Sequence, residues 1–111
     1  MTIVSWDNVD FGNDIDIKVL AQNSATKEIQ ITMPKDSTMK EHKAPFDINV
    51  QVLYGKIWFE IGQDRLEMNA LDMISVEGGV PHSLGGLENS IVRLSLSKQD
   101  SKERVDSVLK G

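Results

Sequence analysis

The 111-residue sequence contains no cysteine, only two histidines and only three prolines. Without cysteine, the chain has no disulfide framework, no thiolate nucleophile and no cysteine-ligated zinc site. No apolar run approaches the roughly 18–20 residues that span a bilayer. The first residues include acidic groups and lack the basic and apolar regions of a signal peptide. We therefore expect a cytoplasmic protein that does not contact a membrane.

Basic side chains are in the minority, with 12 Lys and Arg against 17 Asp and Glu, a formal net charge of −5. They are scattered along the chain and form no patch interleaved with aromatic residues. Because neutralisation of phosphates dominates binding to nucleic acids, we do not expect a nucleic-acid partner. The length allows one domain, residues 1–111, which can bury roughly two-thirds of its unfolded surface.

Short segments in which apolar and polar residues alternate predict β-strands along most of the chain. These segments are residues 15–20, 28–33, 47–54, 56–61, 65–68, 70–76 and 90–96. Residues 34–46 contain two prolines and are expected to cross between strands. Residues 77–86 contain two Gly-Gly pairs and are expected to form tight turns that present His82. The pattern predicts an all-β sandwich or barrel over about residues 13–97.

The period changes near the end of the chain, where apolar residues recur at helical spacing: Val105, Val108 and Leu109. Asp100 and Glu103 have the spacing of a capping box, and Gly111 follows the last turn. We expect a short amphipathic helix over about residues 100–110 that packs against the outside of the barrel. A helix that binds a partner is the alternative.

Two tryptophans belong to no motif. Trp6 lies near the amino terminus and is expected to cover the mouth of the barrel. Trp58 alternates with Ile57 and Phe59 and is therefore expected to be exposed or to lie in an interface.

Two segments resemble the two halves of the cupin signature. The first is HKAPFDINVQVLYG, in which His42 stands at the family's first histidine and Gly55 at its glycine. The second is LDMISVEGGVPHSL, whose matching residues are Asp72, Gly78, Gly79, Pro81 and His82. The resemblance covers roughly residues 28–96. It implies an all-β, cupin-type β-barrel (a double-stranded β-helix or jelly roll) with a short C-terminal α-helix.

The resemblance also implies that the metal site is incomplete. A complete cupin site uses two histidines and a glutamate from the first half and one histidine from the second, a set that suits Fe, Mn, Ni or Zn. Here Ala44 stands at the second histidine position and Ile48 at the glutamate position. His42 and His82 remain as tentative metal ligands. Asp47 is the nearest carboxylate, but strand alternation directs it away from the interior.

We expect His42, Ile48, Val50 and His82 to line a pocket inside the barrel. Because two histidines alone make a poor metal site, the favoured function is binding or sensing of a small molecule. The alternative is a metal-dependent enzyme of the dioxygenase, isomerase or decarboxylase type that uses His42, His82 and one further oxygen ligand. A third alternative is a structural or partner-binding role. Since cupin-like barrels commonly pair, the resemblance also implies a homodimer.

Overall fold

A computed structural model describes residues 2–110. Within these residues the chain forms nine strands and one helix. The elements are β1 (Asp16–Gln22), β2 (Thr26–Met33), β3 (Thr38–His42), β4 (Ile48–Tyr54), β5 (Lys56–Ile61), β6 (Asp64–Asn69), β7 (Met73–Val76), β8 (His82–Gly86), β9 (Ser90–Ser97) and α1 (Lys102–Lys110). A five-stranded sheet has the order β1-β2-β9-β4-β7, and a four-stranded sheet has the order β3-β8-β5-β6.

The core lies between the two sheets and consists of the apolar residues that alternate along each strand. In the five-stranded sheet, Val50 on β4 is opposite Leu94 on β9. In the four-stranded sheet, Phe59 on β5 is opposite Leu84 on β8. All four side chains are buried in one hydrophobic cluster. Burial of each such side chain stabilises the fold by roughly 1.5–3 kcal/mol relative to exposure. The alternating apolar residues that predict the strands thus also form the core of the barrel.

Strands β3 and β8 fall in segments that the sequence pattern predicts to be a crossing and a turn cluster. The two strands pair antiparallel, and His42 lies directly opposite His82. A bulge between Met39 and His42 changes the register, and both residues line the interior. A β-bulge adds a residue to one strand and so redirects the side chains that follow it. The bulge explains why alternation alone does not reveal β3.

The prediction of a tight turn at Gly85 and Gly86 is wrong, because both residues belong to β8. A Cβ atom on Gly85 would lie 2.4 Å from the indole ring of Trp58. The ring of Trp58 therefore lies directly on the backbone of β8, and the guanidinium of Arg65 stacks on the same ring at 4.0 Å from its centre. Glycine here allows close packing rather than a turn.

The amino-terminal segment lies against the outer face of the five-stranded sheet. The side-chain amide of Gln30, on β2, donates a hydrogen bond of 2.7 Å to the backbone oxygen of Trp6. Gln30 and Thr32 alternate with core residues of β2 and so point away from the core, yet both are buried. The prediction that Trp6 covers the barrel mouth is therefore wrong.

Helix α1 begins at Lys102, two residues after the expected start. The N-cap is Ser101, whose Oγ accepts a hydrogen bond of 3.1 Å from the backbone N–H of Arg104. The carboxylate of Asp100 instead accepts hydrogen bonds from the Ser101 N–H and from the side chain of Arg104. The predicted capping box between Asp100 and Glu103 is thus wrong. Gly111, expected after the last turn, lies outside the described residues.

The helix packs against β1 and β3. Its apolar face is centred on Val105, which is only 1% exposed and belongs to the hydrophobic core. No helix between residues 2 and 110 is long and apolar enough to cross a membrane. Because Arg104 and Val105 line the interior cavity, the helix closes part of the barrel interior from outside.

Candidate functional site

A cavity of about 20 Å³ lies inside the barrel next to α1. His42, Ile48, Val50 and His82 all line it, together with apolar side chains from both sheets. Arg104 and Val105 of α1 complete the wall. This volume accommodates about one water molecule. With α1 in place, the interior is therefore almost filled by side chains.

The two histidines lie side by side because β3 and β8 pair at these positions. Their ring centres are 4.4 Å apart, and the ring planes meet at 65°. The ring of Phe59 stacks on His82 with centres 5.5 Å apart and an angle of 14°. His82 is 2% exposed, whereas His42 is half-buried. The packing holds both rings in defined orientations.

A backbone carbonyl fixes the tautomer of each histidine. The Nδ1 atom of His42 is 2.8 Å from the oxygen of Lys40, and that of His82 is 2.9 Å from the oxygen of Val80. Because a carbonyl oxygen only accepts, each Nδ1 carries the hydrogen, and each neutral ring has its lone pair on Nε2.

Neither Nε2 atom has a hydrogen-bond partner among residues 2–110. No fully enclosed side-chain nitrogen or oxygen in the same residues lacks a partner. It follows that neither Nε2 atom is fully enclosed by protein. Both rings line the same cavity, so part of the space open to them is that cavity. The site offers two hydrogen-bond acceptors against apolar walls.

Burial is the main reason why the pKa of both histidines lies below the ordinary value. The hydrogen bonds to Lys40 and Val80 oppose this effect, since they favour the protonated ring. The positive charge of Arg104 lowers the pKa of both rings further, and His82 does the same for His42. The two rings are therefore neutral at pH 7 and act as acceptors at Nε2.

Arg104 is held by a buried carboxylate. Its Nε and Nη2 atoms donate to the two oxygens of Asp100 at 2.8 and 2.7 Å, and the Asp100 side chain is 1% exposed. Although burial raises the pKa of Asp100, hydrogen bonds from Arg104 and Ser101 outweigh burial and hold this pKa below its usual value. Arg104 lies outside the two signature segments, so they do not identify it. Its i,i+4 spacing from Asp100 does indicate an ion pair of this kind.

The residues present do not fit a tightly bound divalent metal. Ala44 and Ile48, at the two missing ligand positions, are buried apolar residues. Asp47 lies at the surface, where its Oδ1 accepts a hydrogen bond of 2.8 Å from the Gly78 N–H. In the part of the chain that the structure describes, no three His, Cys, Asp or Glu side chains are grouped as metal ligands. The guanidinium of Arg104 adds a positive charge to the same cavity.

Comparison with solved structures shows that this is the cupin fold. The chain is similar to a cupin superfamily protein from Desulfitobacterium hafniense (TM-score 0.74, 13% identity, 80% of this chain and 82% of that one). It is also similar to an RmlC-like cupin protein from Desulfovibrio desulfuricans (TM-score 0.77, 14% identity, 87% and 95%). A third similar structure is an RmlC-like cupin from Shewanella frigidimarina (TM-score 0.73, 18% identity, 86% and 85%).

No protein-family model matches the sequence, and no curated protein sequence is significantly similar to it. At these low identities, the structural similarities confirm the predicted fold and carry no activity over to this chain.

Proposed function

We propose that this cupin-fold barrel binds a small organic molecule between His42, His82 and α1, without a divalent metal. The observation that carries the proposal is the pair of neutral imidazoles whose Nε2 atoms have no hydrogen-bond partner within residues 2–110. Binding sites for small molecules combine apolar walls with a few fixed polar groups. The cavity has that composition, because its walls are apolar apart from the two histidines and Arg104.

Ligand entry requires α1 to move, because the closed cavity holds no more than about one water molecule. The helix has nine residues, and helices of that length are marginal in isolation, so its position depends on packing. Val105 is its only buried residue. A local opening of α1 exposes Val105, part of Val108 and the apolar side chains of the cavity, and it removes one wall of the cavity.

The metal-dependent alternative has no support in the donor set. A catalytic zinc or iron site takes three protein ligands and leaves positions open for substrate. Here two imidazoles reach the cavity, and Asp47, the carboxylate next in sequence to the missing glutamate position, is engaged with Gly78 at the surface. No step of a metal-dependent reaction follows from this arrangement.

The proposal is tested with protein whose histidines are labelled with ¹⁵N. Neutral polyols, amides, aromatic compounds and small acids are added one class at a time, in buffer with and without EDTA. We expect at least one class to shift the Nε2 resonances of both rings and to raise Tm, with the same result in EDTA. If no class moves either ring, or if the shifts require a metal, the proposal is wrong.

A matched variant separates the acceptor from the ring. His82→Phe retains an aromatic ring that can stack on Phe59 but has no Nε2. We expect this variant to fold and to lose most of the ligand-induced rise in Tm. Lys98→Gln, a change at an exposed position remote from the cavity lining, serves as the control and is expected to bind as the unmodified protein does.

A further inference from the structure

Arg104 lines two spaces at once. It forms part of the wall of the inner cavity, and it also borders an open depression on the surface of the barrel. We call this depression the vestibule; its lining residues are Lys43, Ala44, Pro45, Gly78, Gly79 and Arg104. The side chain of Arg104 is 24% exposed. Its guanidinium therefore stands between solvent and the histidine pair.

The guanidinium of Arg104 has unused hydrogen-bond donors. A guanidinium has five N–H groups in a fixed planar fork. Two of them are directed at the carboxylate of Asp100, and no other side-chain or backbone acceptor in residues 2–110 receives a hydrogen bond from this guanidinium. The remaining N–H groups can donate hydrogen bonds to a ligand while the two hydrogen bonds to Asp100 stay in place.

The vestibule is cationic in a protein that is acidic overall. Two positively charged side chains, Lys43 and Arg104, line it, and no described Asp or Glu does, although the chain carries a net charge of −5. Asp100 lies behind the guanidinium with its side chain 1% exposed. The two cations that line the vestibule favour an anionic group there, although the carboxylate of Asp47 lies beside it on Gly78.

We propose that the pocket takes a small hydroxycarboxylate, with its carboxylate on Arg104 and Lys43 and its hydroxyl donating to the Nε2 atom of His42 or His82. This inference rests on the proposed function, since it names the ligand class of the same cavity. The planar fork of arginine matches a carboxylate in a bidentate arrangement. The two neutral imidazoles accept, so the inner end of the ligand must supply a donor. With α1 closed, the inner cavity has room for little more than the hydroxyl, so the body of the ligand must be short and its carboxylate must remain at the vestibule.

The position of Arg104 on α1 couples the ligand to the helix. A carboxylate in the vestibule is attracted to the guanidinium from the side opposite Asp100. The ligand thus bridges α1 and the strands that carry the histidines, and it holds the helix against the barrel. Binding is expected to slow amide hydrogen exchange in α1, because the open state of the helix then costs the ligand contacts.

The experiment compares matched probes by NMR titration of the labelled protein. The probes are 3-hydroxybutyrate, its amide, 1,3-butanediol, butyrate and methyl phosphate. We expect 3-hydroxybutyrate to bind roughly tenfold or more tightly than the amide or the diol, because only it has a charged partner for Arg104. Butyrate is expected to bind more weakly than 3-hydroxybutyrate, since it has no donor for the imidazoles.

Two variants test the role of the cations. Lys43→Glu reverses one charge of the vestibule and leaves Asp100 unchanged. At low salt it is expected to weaken the binding of 3-hydroxybutyrate severalfold and to leave the affinity for the diol unchanged. Arg104→Gln alone leaves Asp100 buried without its partner and is expected to destabilise the protein strongly. The double change Asp100→Asn with Arg104→Gln avoids that charge and is expected to abolish the preference for acid over amide.

The outcomes distinguish this inference from the proposed function. Equal affinity for the acid and its amide, tighter binding of methyl phosphate than of the hydroxyacid, or no effect of Lys43→Glu at low salt would overturn the hydroxycarboxylate while leaving a binding cavity intact. Failure of every probe and of every compound class to shift the imidazole resonances would overturn the proposed function itself.

Discussion

The two segments that resemble the cupin signature differ in what they preserve. In the second segment, Asp72 accepts a hydrogen bond of 2.8 Å from the Asn69 N–H and shapes the turn before β7. Gly79 adopts a positive φ of 83°, and His82 reaches the cavity. In the first segment, Gly55 also serves the backbone, yet Ala44 replaces a metal donor with a buried methyl group.

The difference shows that the barrel depends on the residues that shape its backbone and not on the metal donors. Gly55 has a φ of 87°, and a Cβ atom there would lie 2.3 Å from the backbone oxygen of Asn89. Ile48, at the position of a donor, is part of the hydrophobic core instead. A chain can thus retain the fold and the pair His42 and His82 while its cavity becomes apolar.

The largest expected effect compares one glycine from each segment. Gly55→Ala combines a strained backbone with a collision against backbone atoms, and we expect it to lower the free energy of unfolding by at least about 3 kcal/mol. Gly79→Ala has a similar positive φ, but no heavy atom lies within 4 Å of its added Cβ. We expect this control to cost about 1 kcal/mol. Urea unfolding measures both. Equal costs would show that close packing at Gly55 is unimportant.

The next largest effect is expected from a substitution that restores a metal-binding carboxylate in the first segment. Ile48→Glu places a carboxylate in the cavity wall, and in EDTA we expect it to destabilise the protein by roughly 2–3 kcal/mol, because an ionisable group replaces a buried apolar one. Together with His42 and His82 it supplies a third ligand, so Zn²⁺ is expected to raise its Tm.

The control for that change is Ile48→Gln, which buries a polar side chain of the same length but supplies no carboxylate. It is expected to be destabilised without a rise in Tm on addition of Zn²⁺, and the unmodified protein is expected to respond no more than this control. A large response of the unmodified protein would mean that His42 and His82 already hold a metal with a donor that the structure does not assign.

A smaller effect concerns the hydrogen bond that joins the two segments. Asp47→Ala removes the acceptor of the Gly78 N–H, and we expect urea unfolding to show a loss of about 1 kcal/mol of stability. Asp47→Asn retains an acceptor oxygen and is expected to lose less. An equal loss in the two variants would show that this hydrogen bond does not account for the effect.

The smallest effect is the pH dependence that His42 and His82 share. Their pKa values are lower in the folded protein than in the unfolded chain, because burial disfavours the charged ring. Below about pH 6.5 the unfolded chain therefore binds more protons, and the free energy of unfolding falls as the pH decreases. The lowered pKa of Asp100 acts in the same direction only in more acidic solution.

Urea unfolding between about pH 7.5 and 5.5 measures this slope. His82→Phe removes one of the two titrating rings and is expected to reduce the slope. A stability that stays constant or rises on acidification through this range would contradict neutral, buried histidines.

The sequence predicts the strands that rest on regular alternation, but it does not predict the two that carry the histidines. In β3 a bulge before His42 interrupts the alternation, and in β8 Gly85 is required by the ring of Trp58, which comes from a distant part of the chain. Both causes are tertiary contacts. The cupin resemblance nevertheless located His42 and His82, since it depends on spacing rather than on strand periodicity.

The closed state of the cavity could not be predicted in the same way. Helical spacing predicts that Val105 lies on the apolar face of the helix, but only the packing of α1 on β1 and β3 shows that it lines the cavity. Arg104 belongs to no signature, and its role depends on the buried partner Asp100. Contacts between an appended helix and a barrel are specific to the chain, so a family pattern does not contain them.

The most direct test of a metal-free pocket with two inward acceptors is the tautomeric state of His42 and His82, measured by two-dimensional ¹H–¹⁵N NMR of the imidazole rings near pH 7.5. We expect both rings to carry hydrogen on Nδ1 and none on Nε2, and we expect EDTA to leave the spectrum unchanged. Hydrogen on Nε2 of either ring, or resonances that change when EDTA removes a metal, would contradict this expectation.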